Sequence, residues 1–261
     1  MYSFFAEESV FANIGLQKSD VIFYTVTDST NTRARESFLS EGKNSPRLFV
    51  ANEQTAGRGT RGRSFESRPM GLYFSFLFIP DENSCDASVI TPIAAASVFG
   101  ALRSLVGRRR SKKMMIKWVN DVYIEGRKVS GILCEKIDTE DSTAYVIGIG
   151  VNLYGSDFSP EVAKIASSIE VTTGVKPDKG ELLYEILKRL VPAVTENKIR
   201  RLSSLYRRKG LKRGAKITVT DSLGKSEAAT VLGLDSDFHL TVRYEDGKEK
   251  NLISGDVSIR L

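Results

Sequence analysis

Apolar residues change their spacing twice along the chain. Up to about residue 151 they come as short runs rich in β-branched and aromatic side chains. From about 160 to 210 they recur every three or four positions, and beyond 215 they form brief stretches cut by turn residues. The first twenty residues show neither period and read as a helical or irregular lead-in. Residues 21–26 predict a strand. It runs into Asp28-Ser29-Thr30-Asn31, four residues suited to turns and helix N-caps, ahead of a short helix over 32–40. Residues 48–51 predict a second strand, and 71–79 are apolar almost throughout, as in a strand covered on both faces. Thr91-Pro92 has the form of a helix start, with Ala95, Val98, Leu102 and Leu105 on one face and the cationic run 108–113 behind it. Two short strands then flank Asn120-Asp121. A turn at Glu125-Gly126 leads to a strand over 127–135, where Gly131 leaves room for close approach. Residues 144–151 read as a buried strand ending at Asn152, or as an edge weakened by Gly148 and Gly150.

The later pattern is helical. Leu183, Ile186, Leu187 and Leu190 share one face, Pro192 predicts an interruption, and Ile199, Leu202, Leu205 and Tyr206 share another, closed by Arg207-Arg208-Lys209-Gly210. Strands are expected over 216–220, 227–234, 238–244 and 248–253. Their spacing predicts a small antiparallel barrel, so the chain divides into an α/β domain of residues 1–210 and a second domain of 211–261.

Composition narrows the function. At 261 residues, 41% hydrophobic and 27% charged, the chain has ample material for a buried core. The apolar stretches 72–79 and 93–102 are too short or too broken to span a membrane, and residues 1–11 lack the basic start of a signal peptide, so a cytoplasmic protein is expected. Cys85 and Cys134 have neither metal-ligand spacing nor neighbouring histidines. The one histidine, His239, falls in an alternating segment and reads as a strand side chain, which leaves no triad chemistry. A net charge of +6 favours polyanionic partners without choosing among them.

The stretch with the clearest chemistry follows the second strand. In Gln54-Thr55-Ala56-Gly57-Arg58-Gly59-Thr60-Arg61-Gly62-Arg63, glycines free the backbone to turn toward an anion, and guanidinium groups bind phosphate or carboxylate oxygens. It lacks the Gly-Lys-Ser/Thr ending of a P-loop and the Gly-x-Gly-x-x-Gly spacing of a dinucleotide fold. Read alone, it is either an anion-binding loop or a mobile basic surface loop.

Five segments in order carry a resemblance: Asp28-Ser29-Thr30-Asn31, Gln54-Thr55-Ala56-Gly57-Arg58-Gly59, Lys117-Trp118-Val119-Asn120-Asp121, Gly126-Arg127-Lys128-Val129-Ser130-Gly131-Ile132-Leu133 and Gly148-Ile149-Gly150-Val151-Asn152. Together they resemble the biotin–protein ligase family. The resemblance implies a mixed-sheet α/β catalytic domain, related to class II aminoacyl-tRNA synthetases, with an SH3-like barrel behind it. It also implies adenylation of biotin by ATP with Mg2+, then transfer to a lysine of a biotin carboxyl carrier domain. The early position of Ser29-Thr30-Asn31 leaves no room for the DNA-binding domain of some members, so neither DNA nor membrane is an expected partner; a homodimer is compatible.

Carried over by position, the resemblance gives Ser29, Thr30, Asn31 and Gln54 to the biotin head and Gly131 to the biotin pocket. Arg58, Gly59 and Thr60 would close over the valerate carboxylate and later the adenylate phosphate, and Arg61 and Arg63 would serve the ATP phosphates. Lys128 would meet the carboxylate and adenylate, Asp121 the attacked carbon and acceptor lysine, Asn152 the adenine, and Arg260 the nucleotide. Lys128, Arg58 and Asp121 are the expected catalytic groups, and magnesium would be held largely by phosphate oxygens. Three positions depart from the family pattern: Thr60 stands where arginine is common, Phe65 where tryptophan is, and Val119 where proline is. The first predicts looser retention of the adenylate. Lipoate–protein ligase or octanoyltransferase is the alternative within the superfamily. A basic nucleic-acid-binding module is the alternative from another class, although the aromatics Phe74, Phe76 and Phe78 sit in a core-like strand rather than in a stacking array.

Overall fold

A computed structural model describes residues 12–41, 46–221, 224–253 and 256–259. Seven strands form one mixed sheet: β1 (Val21–Thr27), β2 (Arg47–Gln54), β3 (Gly71–Phe78), β4 (Met114–Lys117), β5 (Asp121–Ile124), β6 (Arg127–Asp138) and β7 (Thr143–Asn152). Their order is β1-β2-β3-β7-β6-β5-β4; β1 and β2 are parallel and every other pair is antiparallel. The apolar run of β3 is explained by its place between β2 and β7 with both faces covered. Phe74, Phe76 and Phe78 join the main core, while Leu77 faces the smaller cluster with Ala34, Phe38 and Phe49. Strand β7 is central rather than an edge, so its glycines serve something other than edge weakening.

Helix α1 (Thr30–Glu41) covers one face of this sheet. The other face carries α2 (Ile90–Arg110), which is crossed in turn by α5 (Lys179–Thr195) and α6 (Arg200–Lys209); two short helices, α3 (Pro160–Ala163) and α4 (Ile169–Thr173), lie between β7 and α5 in the chain. Helix α2 begins at Ile90 rather than at Thr91, because a preceding 3-10 turn is capped by Asp86, whose carboxylate accepts from Ser88 N at 2.8 Å. With its flanking turns, Ala87–Lys113, it is long and apolar enough to cross a membrane, but 72% of its most apolar window is buried inside the protein. Pro192 does not interrupt α5. It lies three residues from the end, where the missing N–H costs one bond, and the following Ala193 and Val194 are fully buried. Gly210 ends α6 in an extended conformation rather than a left-handed one; its place is set by space, since a Cβ there would lie 3.0 Å from Tyr206 O.

The last strands, β8 (Lys216–Thr220), β9 (Ser226–Leu234), β10 (Leu240–Tyr244), β11 (Glu249–Leu252) and β12 (Asp256–Ile259), form an antiparallel sheet in the order β11-β10-β9-β8-β12. Among the described residues it is open at β11 and β12, so the closure of the expected barrel is not seen. Strand β12 was not legible in the apolar pattern. His239 precedes β10 in a loop, with Nδ1 2.9 Å from Asp235 Oδ2. Phe238, in the loop before β10, and Tyr206 of α6 help to join this sheet to the larger one. Trp118 Nε1 donates to Phe238 O at 2.8 Å, Tyr206 Oη donates to Val119 O at 3.0 Å, and the Tyr206 and Phe238 rings meet edge to face at 5.2 Å. Phe238 adopts a φ of 64°, outside the strand expected to include it.

Candidate active site

The segment after β1 turns into α1 because Asp28 holds it. Its Oδ1 accepts from Ser29 N at 2.6 Å, and Arg33 donates to both carboxylate oxygens. Ser29, Thr30 and Asn31 are thereby buried, at 3%, 3% and 4% exposure, far more enclosure than a helix cap requires. Such burial demands partners, and the chain supplies them as one connected set. Thr30 N donates to Gln54 Oε1 at 2.8 Å, Gln54 Nε2 to Ser67 Oγ at 2.8 Å, and Ser67 Oγ to Phe65 O at 2.9 Å. Ser75, the one polar residue inside β3, bridges Thr30 Oγ1 at 2.7 Å and Asn31 Oδ1 at 2.6 Å. Asn31 Nδ2 donates to Glu135 Oε2 at 2.7 Å, and Glu135 Oε1 lies 3.0 Å from Arg58 Nη2. The Gly/Arg loop is thus tied to the Ser-Thr-Asn turn at Gln54 and, through Glu135, at Arg58.

That loop is folded on itself as an irregular hairpin. Gly59 N donates to Arg63 O at 2.7 Å and Phe65 N to Gly57 O at 2.8 Å, while Arg61 and Gly62 turn its tip with φ of 59° and 71°. Gly57 has no space for a side chain, since a Cβ would fall 2.3 Å from Phe65 O. The hairpin leans over a floor made by three strand glycines. Gly131 and Gly150 are cross-strand partners, and the Phe65 ring lies 2.6 Å from where a Cβ of Gly150 would stand; a Cβ on Gly148 would fall 2.0 Å from Asn31 Oδ1. The Lys128 side chain also runs across Gly131 and ends 2.7 Å from Asp121 Oδ1.

Between hairpin, floor and the Lys117–Asn120 turn lies a cavity of about 510 Å³. Its lining combines the buried hydroxyl and amide groups with Arg58, Arg61, Arg63 and Lys128 and with the apolar Ile132, Leu133 and Ile149. Such a shape suits a ligand with a hydrogen-bonding head, an apolar middle and an anionic end. Tyr123, also in the lining, has its phenol pushed up to about 12 by burial and then by the Asp121 charge, so it stays protonated at neutral pH. The Trp118–Val119 peptide bond in the wall is cis.

Residues 23–152 match the model of the biotin/lipoate A/B protein ligase family. The chain is similar to a biotin–[acetyl-CoA-carboxylase] ligase of Paracoccus denitrificans, 33% identical over 171 residues, which cover 64% of this chain and 68% of that one. The chain belongs to this family. It is also similar to the bifunctional ligase/repressor BirA of Bacillus subtilis, 34% identical over 173 residues, and spans about half the length of that relative, 51%. Among solved structures, the Aquifex aeolicus biotin protein ligase in complex with biotin and ATP superposes with a TM-score of 0.74 at 28% identity, over 92% of this chain and 98% of that one.

Of the residues that the family motifs single out, Ser29, Thr30, Asn31, Gln54, Arg58, Gly59, Thr60, Arg61, Arg63, Asp121, Lys128 and Gly131 all border the one cavity. Asn152 does not. It ends β7 beside a separate small depression with Glu66, Arg68, Tyr73 and Tyr154, and its Nδ2 donates to Ser167 O at 3.3 Å. Arg260 lies outside the described residues. Ser67, Ser75 and Glu135 were missed in the sequence. A serine in the middle of a wholly apolar strand was the one available signal, since a fully buried hydroxyl there needs a partner.

Proposed function

We propose that the chain joins biotin to AMP and then passes the biotinyl group to a lysine of a carrier domain in a biotin-dependent carboxylase. One observation carries the reading: the buried Ser29-Thr30-Asn31 turn and the cations Arg58 and Lys128 line the same 510 Å³ cavity. The ureido head of biotin needs both donors and acceptors, which Thr30, Asn31 and Gln54 offer, and the valerate chain needs the apolar middle. Its carboxylate would then lie under Arg58 and Lys128.

In the first step the biotin carboxylate attacks the α-phosphorus of ATP and pyrophosphate leaves. Two anions must approach, so Arg58, Arg61, Arg63 and Lys128 lower the barrier by screening that repulsion and holding the carboxylate in line. In the second, the lysine amine of the carrier attacks the acyl carbon, AMP leaves, and Asp121 faces the incoming amine. Magnesium would arrive with the nucleotide and draw charge from its phosphates. Asp121 is the one carboxylate in the cavity lining, and the described residues hold no cluster of three or more acidic, cysteine or histidine ligands, so the ion's oxygen shell would come chiefly from the phosphates. Asn152 would take the adenine, and Arg260 the nucleotide. In this reading residues 1–210 are the catalytic unit and 211–261 a second unit of SH3-like type. The protein works in the cytoplasm, alone or as a homodimer, without DNA or membrane as partner.

ATP–pyrophosphate exchange tests the proposal. Exchange that depends on biotin and fails with lipoate or octanoate is the expected result. Exchange with lipoate in place of biotin, or none with either, overturns it.

A further inference from the structure

Glu135 is outside the cavity lining, yet it touches two of the residues that line it, Asn31 and Arg58. Gly131, Ile132 and Leu133 of β6 line the cavity, and Glu135 follows two positions after Leu133, on the same face of the strand as Leu133. Its Oε2 accepts from Asn31 Nδ2 at 2.7 Å, and its Oε1 lies 3.0 Å from Arg58 Nη2. Asn31 belongs to the buried turn before β2 and Arg58 to the hairpin after it. Among the described residues Glu135 is the one carboxylate that meets either.

An ionised carboxylate accepts hydrogen bonds and donates none. Facing Asn31, it fixes which way the amide lies: Nδ2 toward Glu135, Oδ1 toward Ser75 Oγ at 2.6 Å. A side chain at position 135 that could only donate would invite the opposite orientation and present the wrong atoms to a ligand head, whereas one that keeps an acceptor oxygen allows the present one. Facing Arg58, it anchors a guanidinium whose side chain is 48% exposed and which sits on a hairpin held mainly by backbone bonds. Charge-assisted contacts of this kind have both the strength and the directionality to set a side chain in place.

We propose that Glu135 is the positioning residue of the site. One carboxylate orients the Asn31 amide and holds the Arg58 guanidinium beside it at the cavity, so the amide and the cation keep a fixed relation to each other. The inference rests on the biotin reading above and adds a residue that acts through two others, touching no reacting atom itself. An ion pair that merely stabilised the fold would change melting behaviour and leave the balance between KM and kcat alone. A positioning role moves that balance.

The test uses Glu135→Gln, which keeps an acceptor for Asn31 but removes the charge facing Arg58, and Glu135→Ala, which removes both. In biotin-dependent ATP–pyrophosphate exchange, Glu135→Gln is expected to hold KM for biotin within about threefold of the parent while kcat falls about tenfold or more. Glu135→Ala should also raise KM about tenfold. Adding Glu135→Gln to Arg58→Ala should change the rate less than about twofold, because the residue through which it acts is gone. A parent-like kcat in Glu135→Gln, or losses from the two substitutions that multiply, overturns the inference. Should Glu135→Ala fail to fold, the glutamine variant and the double variant decide. A parent protein without biotin-dependent exchange removes the biotin reading and this inference with it; an active parent with unaffected Glu135 variants removes the inference alone.

Discussion

Lys128 reaches Asp121 by lying across a missing side chain. Asp121 stands opposite Gly131 in the β5–β6 ladder, and the ammonium of Lys128 passes over that glycine to within 2.7 Å of the Asp121 carboxylate. The pair is largely shielded, with 24% and 16% of the two side chains exposed. The cation is therefore stored beside a neutralising partner at the place where an anionic ligand is expected.

Removing that cation has two separable consequences. Lys128→Ala should slow adenylation by about one to two orders of magnitude, as should Arg58→Ala, since each loses a charge-assisted hydrogen bond. Lys128→Ala also leaves Asp121 without its counter-ion at a cost of about 1–3 kcal/mol. Adding Asp121→Asn to Lys128→Ala should recover the melting temperature and not the rate. Parent rates in both single variants would remove Lys128 and Arg58 from the site.

Gly148 reserves the space of the Asn31 amide. A methyl group there would sit 2.0 Å from Asn31 Oδ1, a distance that no rotamer of Ala relieves, so Gly148→Ala should displace Asn31 and weaken biotin binding about tenfold or more. Titration followed by the fluorescence of Trp118, the chain's one tryptophan and part of the cavity wall, measures this directly. Unchanged affinity would show that Asn31 does not meet the ligand.

Under the proposed function, Thr60 is expected to loosen retention of the adenylate. It occupies the hairpin at the cavity, and its own polar contacts are with Arg63, whose Nε donates to Thr60 O at 3.3 Å. A neutral hydroxyl holds a phosphate less firmly than a guanidinium does. Incubated with biotin, ATP and a protein that is no carrier, the parent should label stray lysines, and Thr60→Arg should reduce that labelling several-fold. Absence of labelling by the parent would contradict the expectation.

Asp28 makes the turn that presents Ser29, Thr30 and Asn31 sensitive to acid. Partial burial alone would raise its pKa, but hydrogen bonds from Ser29 N and Arg33, with the Arg33 charge, hold it below the ordinary 3.8. A folded-state pKa lowered beneath the unfolded one gives stability that is complete above 3.8 and lost as pH falls through the folded value. The melting temperature should drop on acidification below about pH 4, and Asp28→Asn, less stable at neutral pH, should drop less. Equal acid sensitivity in both proteins would place the effect in other carboxylates.

Most elements of the larger sheet were legible because its strands differ sharply in pattern from the helices that follow. The apolar run at 71–79 and the period of Leu183, Ile186, Leu187 and Leu190 each admit one reading. The failures were local competitions. Pro192 was read as a break, yet burial of Ala193 and Val194 outweighed one lost bond near a helix end. Thr91-Pro92 has the form of a helix start, yet Asp86 caps an earlier turn and the helix begins at Ile90. The glycines of β7 left an edge strand open as a reading, because a sequence does not say whether a missing side chain is a weakness or a space kept for a neighbour.

The candidate site divides in the same way. Residue types and their order identify the groups able to bind an anion and a polar head, because guanidinium, ammonium and amide chemistry belongs to the side chains themselves. That Ser75 and Glu135 link these groups, that Phe65 and Lys128 lie over facing glycines, and that Asn152 falls beside a different depression were decided only when the strands took their register. A sheet brings together residues far apart in the chain, and which atoms then come within 3 Å depends on pairing that no local pattern encodes.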